Sequence, residues 1–344
     1  MKMHRVWFGS LTDYIGIDMG SSRIRIWSKQ SGVVVDDATA IALDTRQQKV
    51  IAVGQEAAQM LGRVAPHISV LFPLQADGIS ESDIVAAMLR VFLQRVFRLG
   101  LFFRPVMVVT VHSHYGEPER QALVELFLRV GAREVYLVDE VLAAAIGAGV
   151  PIADASGSLF LHAGASTAEV GMISLGSVVR SEAAFFAGQN MTRELQLLFK
   201  DEYGILVGTS RTDQLKAQIL GTVQPPVAQF NLTGQSIISQ SPIEVTINVE
   251  KLEQTVKKMI KNYIHMTTSL LGKLPPELSQ DVLEKGMLIS GGTSQLRQMV
   301  PLLSAELGFP VSLVDDPLNC VIKGVGQIVS NIRQFTESIG YQSR

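Results

Sequence analysis

Three short turns rich in Gly, Ser and Thr each follow an apolar run: DMGSSR with Gly20, Ser21 and Ser22, HAGAST with Gly164, Ala165, Ser166 and Thr167, and ISGGTSQL with Gly291 and Gly292. Turns of this composition expose successive backbone N–H groups, and such a concavity favours a phosphate by direct hydrogen bonding. At Gly291 and Gly292 the backbone can also approach a flat ligand closely, because no Cβ intervenes. None of the turns has the GxxxxGK(S/T) form of a P-loop or the GxGxxG form of a dinucleotide fold. A single turn of this kind is an ordinary connection. Three of them, in this order and separation, point to a phosphate-bearing ligand.

These turns need strands to hold them. Apolar runs bounded by turn residues predict strands at YIGID, RIRIWS, VMVVTVHS, EVYLVDE, SLFLHAG, AEVGMIS, VVRSEAAFF, GMLISGG and VSLVDD. Helical periodicity lies between them. EPERQALVELFLRVG has Pro118 near its start, Leu123, Leu126 and Val130 on one face and Gly131 as its stop. SDIVAAMLRVFLQRVFRLG repeats apolar residues at Ile84, Met88, Val91, Phe92 and Val96, and KLEQTVKKMIKNYIHM at Leu252, Val256, Met259, Ile260 and Tyr263. The mixture predicts an α/β protein. An internal duplication adds to this: IGIDMGSSRIRIWSKQSGVV lies over LFLHAGASTAEVGMISLGSVV, with Gly20 on Gly164 and Asp18 on His162. Two strand–turn–strand units in two halves predict two related lobes facing a shared ligand.

Composition narrows the function classes. With 344 residues, 47% of them hydrophobic, the chain can bury the cores of two domains. A net charge of −2 leaves no basic excess to neutralise nucleic-acid phosphates, so a nucleic-acid partner is not expected. The single cysteine, Cys320, excludes an intrachain disulfide framework and a cysteine-based metal cluster, which favours a cytoplasmic setting. No run is long and apolar enough to span a bilayer, and MKMHRVWFGSLTD lacks the apolar centre and cleavage site of a signal peptide. As a helix, that segment puts Met3, Val6, Trp7 and Leu11 on one side and Lys2 and Arg5 on another. This is the pattern of an interfacial helix.

The series DMGSS, VDEVLAAAIGAGVP, LHAGASTAEVGMIS, GMLISGGTSQLRQM and DDPLNCVIKGVGQI, with AVGQEAAQMLGR, GAREVYLVDE and PPELSQDVLEKGM, resembles the actin-like ATPase superfamily and within it the MreB family of rod-shape-determining bacterial actin homologues. The resemblance implies an actin-like fold with two duplicated, ribonuclease H-like lobes around a nucleotide cleft. Lobe I would span 1–150, with about 33–72 as its small subdomain, and be completed by 317–335. Lobe II would span 151–316, with about 185–250 as its small subdomain, leaving 336–344 as a tail.

Carried over residue by residue, the resemblance implies ATP and Mg²⁺. Gly20, Ser21, Ser22 and Arg23 fall on its first phosphate loop, and Gly164, Ala165 and Ser166 on its second. Asp213, Gln214, Leu215 and Lys216 fall where the family contacts the nucleoside, and Gly291, Gly292, Thr293 and Ser294 where it cradles the adenosine. Asp18 would orient magnesium-bound water, Glu140 the attacking water, and Thr167 a hydroxyl in the same shell. The departures matter as much. His162 stands where the family has an acidic residue, Ala165 and Ser166 where it has glycines, and Gln189 where an aspartate is typical. Val141 replaces a proline, and Arg23 and Ile24 replace an Asn and a Thr. Imidazole offers nitrogen where magnesium prefers oxygen, and a lost positioning group commonly costs about 10²- to 10⁴-fold in rate. ATP hydrolysis is therefore expected to be slow or lost while nucleotide binding persists.

By the same resemblance the partners are further copies of the chain in head-to-tail filaments, the cell-wall elongation machinery, and a membrane surface at the inner face of the cell membrane. RLGLFFRPV presents Leu101, Phe102 and Phe103 between Arg98 and Arg104, an interfacial anchor that joins Trp7 and Phe8 of the N-terminal segment. Two other functions use the same fold: a non-filamentous adaptor of the pilus-assembly or division type, and a sugar or acetate kinase. The kinase would need an acceptor site, and Gly176 to Glu250 shows no constellation for one.

Overall fold

The computed structural model describes residues 14–75, 78–79, 81–96, 104–221, 227–335 and 341–343. The N-terminal segment with Trp7 and Phe8, the triplet Leu101, Phe102 and Phe103, and residues 336–340 and 344 of the tail lie outside the described residues. The chain divides into two compact units, one of Met1–Ala155, Ile173–Val178 and Asn319–Arg344, the other of Ser156–Met172 and Val179–Leu318.

The first unit is built on a six-stranded sheet in the order Tyr341–Ser343, Glu134–Asp139, Val106–Val111, Tyr14–Met19, Arg23–Ser28, Gly32–Ala38. Tyr14–Met19, Arg23–Ser28 and Gly32–Ala38 form an antiparallel meander, whereas Val106–Val111 and Glu134–Asp139 run parallel to the first strand. Val106–Val111 is buried at every position, as a strand covered on both faces requires. Ile15, Ile17, Ile24 and Ile26 point into a core shared with Met88, Leu89 and Phe92 of the helix Ser82–Val96 and Leu123, Leu126 and Phe127 of the helix Glu117–Val130. The latter helix has Pro118 in its first turn and stops at Gly131, whose φ of 116° continues no right-handed helix. A small sheet of Lys49–Val53, Ile41–Asp44 and Ile68–Leu71 packs over an alanine-rich cluster of its own.

The second unit repeats the plan. Its five-stranded sheet runs Ser177–Ala184, Ala168–Ser174, Ser158–Ala163, then Met287–Ser290 and Val311–Leu313, the last two parallel to Ser158–Ala163. The duplication read from two stretches of sequence thus extends to the order of five strands in each sheet, Tyr341–Ser343 being the added sixth strand of the first. The long helix Val249–Leu271 starts where the Asn248 side chain accepts the Glu250 N–H, and buries Leu252, Val256, Met259, Ile260 and Tyr263. The nine sequence-predicted strands and three helices above are all present. The small sheet of Ile205–Leu206, Gln229–Ser236 and Pro242–Asn248 was not anticipated, because its strands are polar and half-exposed. Among the described residues, no helix is long and apolar enough to cross a membrane.

Candidate functional site

In the first unit the site begins at the turn between Tyr14–Met19 and Arg23–Ser28. Hairpin pairing sets Met19 against Ile24, Asp18 against Arg25 and Ile17 against Ile26. Because side chains alternate across a strand, the isoleucines enter the core while Asp18 and Arg25 share the other face. Arg25 Nη1 donates to Asp18 Oδ2 at 3.1 Å, with the two side chains only 11% and 4% exposed. Arg25 also lies opposite Asp36 on the next strand, its Nε 3.3 Å from Asp36 Oδ1. Arg23 Nε donates to the same oxygen at 2.7 Å.

The turn itself is fixed from three sides. Thr39 Oγ1 donates to Gly20 O at 2.7 Å, the Thr39 N–H donates to Ser22 O, and the Met19 N–H donates to Thr110 Oγ1 at 3.1 Å. A Cβ on Gly20 would stand 2.7 Å from the Arg23 carbonyl oxygen, so a side chain cannot be accommodated without moving backbone. Ser21 is buried and Ser22 exposed.

Glu140 opens the helix Glu140–Gly147 directly after the strand Glu134–Asp139. Its Oε2 lies 2.9 Å from His112 Nδ1. The His112 ring stacks on His114, and Tyr115 meets both edge-on. The AAAIGAG run that carries much of the resemblance has a packing reason. Cβ atoms on Gly147 and Gly324 would come within 1.8 Å of the carbonyls of Cys320 and Ala143 respectively, so only glycines let this helix press backbone to backbone on Cys320–Ser330.

In the second unit the turn Gly164–Thr167 joins Ser158–Ala163 to Ala168–Ser174. The Gly164 N–H closes the turn by donating to Thr167 O at 2.9 Å, and a Cβ on Gly164 would stand 3.1 Å from that same oxygen. Gly164 and Gly20 thus occupy equivalent places. Ser166 and Thr167 are each 4% exposed. Gly164 O accepts from Thr293 Oγ1 at 2.7 Å, and the Gln189 N–H donates to Ala165 O at 2.7 Å, while the Gln189 side chain is exposed. Lys216 Nζ donates to Gly188 O, to Thr192 Oγ1 (both 2.7 Å) and to Asp213 Oδ1 (2.9 Å). Ser294 Oγ donates to Gly291 O at 2.6 Å and closes the third glycine turn.

One network therefore ties the second hairpin to the helix Thr209–Leu220 that carries Asp213 and Lys216: the Gly188 N–H donates to Gly164 O, which also accepts from Thr293, and Gly188 O accepts from Lys216. Not every residue of that stretch faces it. Gln214 and Gly292 are exposed, and Leu215 is buried in the hydrophobic core. His162 is 8% exposed, and its Nδ1 lies 2.9 Å from Ser290 Oγ on the neighbouring parallel strand. Sequence reading missed Arg25, His112, Thr192 and Ser290. Arg25 had a signal, since counting back from the Gly20 turn puts it opposite Asp18. The other three are joined to their partners only by chain crossings.

Each hairpin turn suits a phosphate by itself: the first carries buried Ser21, and the second carries buried Ser166 and Thr167, with Lys216, held by Thr192 and Asp213, joined to it through Gly188. For magnesium the fit is partial. Asp18 offers carboxylate oxygen but shares it with Arg25, and the matching position of the other hairpin offers imidazole nitrogen.

Sheets of matching strand order in two halves define an actin-like fold. Solved structures agree: MreB 5 of Spiroplasma citri bound to AMPPNP superposes with a TM-score of 0.88 at 24% identity, covering 96% of this chain and 99% of that one. A MamK double helical filament gives 0.77 at 16% identity, covering 93% and 99%. Sequence comparison goes further. The family model for MreB/Mbl protein matches residues 12–337. The cell shape-determining protein Mbl of Bacillus subtilis is 32% identical over 320 residues, 92% of this chain and 96% of its own. The cell shape-determining protein MreB of Escherichia coli K12 is 32% identical over 334 residues, 94% and 95% of the two chains. The chain belongs to the MreB/Mbl family of actin-like, cell shape-determining cytoskeletal proteins, and the resemblance read in its motifs is borne out.

Proposed function

We propose that this chain binds ATP with Mg²⁺, assembles head to tail into filaments at the inner face of the cell membrane, and guides cell-wall growth, with hydrolysis slow or lost. The observation that carries the nucleotide reading is the Lys216 network, which fastens Asp213, Thr192 and Gly188 beside the Gly164 turn. Relatives support it: the S. citri MreB 5 was solved with AMPPNP and with ADP, and MamK as a filament. Asp213 and Lys216 with Gly291, Gly292, Thr293 and Ser294 take the nucleoside end. Ser21, Ser22 and Arg23, with Ala165 and Ser166, take the phosphates. Gly20 and Gly164 shape the two turns. Trp7, Phe8, Leu101, Phe102 and Phe103 supply the membrane anchors.

Bound ATP and magnesium would supply the γ-phosphoryl group and the charge that neutralises its departure. The chain's own part is positioning. As the family resemblance implies, Glu140, steadied by His112, would hold the attacking water, Thr167 would supply a hydroxyl, and Asp18 would orient metal-bound water. His162, tied to Ser290, does not replace the missing carboxylate. Phosphate release from wild type, His162→Asp and Glu140→Ala tests this: His162→Asp should release phosphate at least about tenfold faster than wild type. A wild type as fast as His162→Asp overturns the claim of slow hydrolysis. Electron microscopy with ATP should show filaments, and discrete complexes would favour the adaptor. Co-sedimentation with liposomes should fall for Phe102→Ser and Phe103→Ser, and unchanged binding counts against that anchor.

A further inference from the structure

We propose that Arg25 is a built-in counter-ion of the first hairpin, and that it lets this chain bind a nucleoside triphosphate with little dependence on a divalent cation. The inference rests on the proposed reading of Gly20–Ser22 as a phosphate turn, and it concerns how far Asp18, the carboxylate that the family resemblance assigns to metal-bound water, is still needed for binding.

Hairpin pairing places Asp18, Arg25 and Asp36 on one rung across three strands. The guanidinium contacts Asp18 Oδ2 at 3.1 Å and Asp36 Oδ1 at 3.3 Å, and Arg23 adds a second cation on Asp36 at 2.7 Å. Two guanidinium groups and two carboxylates therefore balance within a few residues of the turn. With an uncharged residue at position 25 the cluster would be net anionic, and a polyphosphate could approach it only with a cation to cancel the repulsion. That is the service a hydrated magnesium ion renders beside a carboxylate. Arginine renders it with a positive charge carried on the chain itself. At 11% and 4% exposure the pair is poorly screened by salt, so the neutralisation of Asp18 is not lost to the solvent ions.

Two consequences oppose metal recruitment at the same place. One Asp18 oxygen is already engaged by a charge-assisted hydrogen bond, and a cation near it meets the like charge of Arg25. The second hairpin points the same way independently: the place equivalent to Asp18 holds His162, whose Nδ1 is engaged with Ser290. Neither hairpin offers an uncompensated carboxylate at this position.

Isothermal titration of the full chain with AMPPNP, in excess MgCl₂ and then in excess EDTA, tests the inference. Wild-type affinity should change by less than about threefold between the two, while Arg25→Leu should bind in magnesium and lose about tenfold or more in EDTA. A wild type that weakens tenfold or more in EDTA overturns the inference, as does an Arg25→Leu variant as tolerant of EDTA as wild type. Circular dichroism checks that the variant is folded, and the wild-type comparison decides by itself if it is not. Absence of binding even in magnesium would instead overturn the nucleotide reading beneath it.

Discussion

The two hairpins share one plan and differ in how they handle charge. In each, a glycine faces the carbonyl of the residue three positions on, at 2.7 Å for Gly20 and 3.1 Å for Gly164, measured from where a Cβ would be. In each, the parallel neighbouring strand brings a hydroxyl to the end of the first hairpin strand: Thr110 accepts from the Met19 N–H, and Ser290 meets His162. On that common frame the first hairpin carries Asp18 against Arg25, whereas the second carries His162 and, at the place matching Arg25, the fully buried Glu169. The backbone plan is thus kept by turn geometry and sheet order, which tolerate few substitutions. The side chains at these matching places are free to differ: Asp18 is held by Arg25, and His162 by Ser290.

The largest test of this contrast is at the ion pair. Arg25→Leu should lower unfolding stability by about 3 kcal/mol, since it leaves Asp18 buried without its counter-charge. Adding Asp18→Asn should restore most of the loss, and a chemical denaturation series on both variants measures it. If the two substitutions simply add, the rung is not a coupled unit. A smaller effect is expected at the turns. Gly20→Ala should cost about 2 kcal/mol and Gly164→Ala about half as much, because the obstructing atom is backbone oxygen in both and the first clearance is tighter. Equal costs would mean that the two turns relax alike. The smallest effect lies in the hydroxyls. Thr110→Val and Ser290→Ala should each cost about 1 kcal/mol, the usual worth of one hydrogen bond, read from shifts in the denaturation midpoint. A cost confined to Thr110→Val would show that the His162 contact adds no stability.

Much of this was legible in the residues. The nine strands and three helices stood out because buried apolar runs and 3.6-residue periodicity are local signals. The polar strands Gln229–Ser236 and Pro242–Asn248 gave no such signal, since a half-exposed small sheet has no continuous apolar run. Glycine turns marked both hairpins, and even the Asp18–Arg25 pairing follows from counting across a tight turn. The AAAIGAG motif was visible as a family mark, but not as the helix contact of Gly147 with Cys320 and of Gly324 with Ala143.

What the sequence by itself determined was therefore the family, the α/β class and the duplicated hairpin, because each is written in contiguous residues. Only the tertiary structure decided which side chains meet over long separations: Lys216 with Gly188 and Thr192, His112 with Glu140, and His162 with Ser290. Those partners depend on parallel strand register and on helices returning to the sheet. A strand crossing brings residues together by sheet order, and sheet order is set by burying the whole apolar face at once rather than by any local pattern.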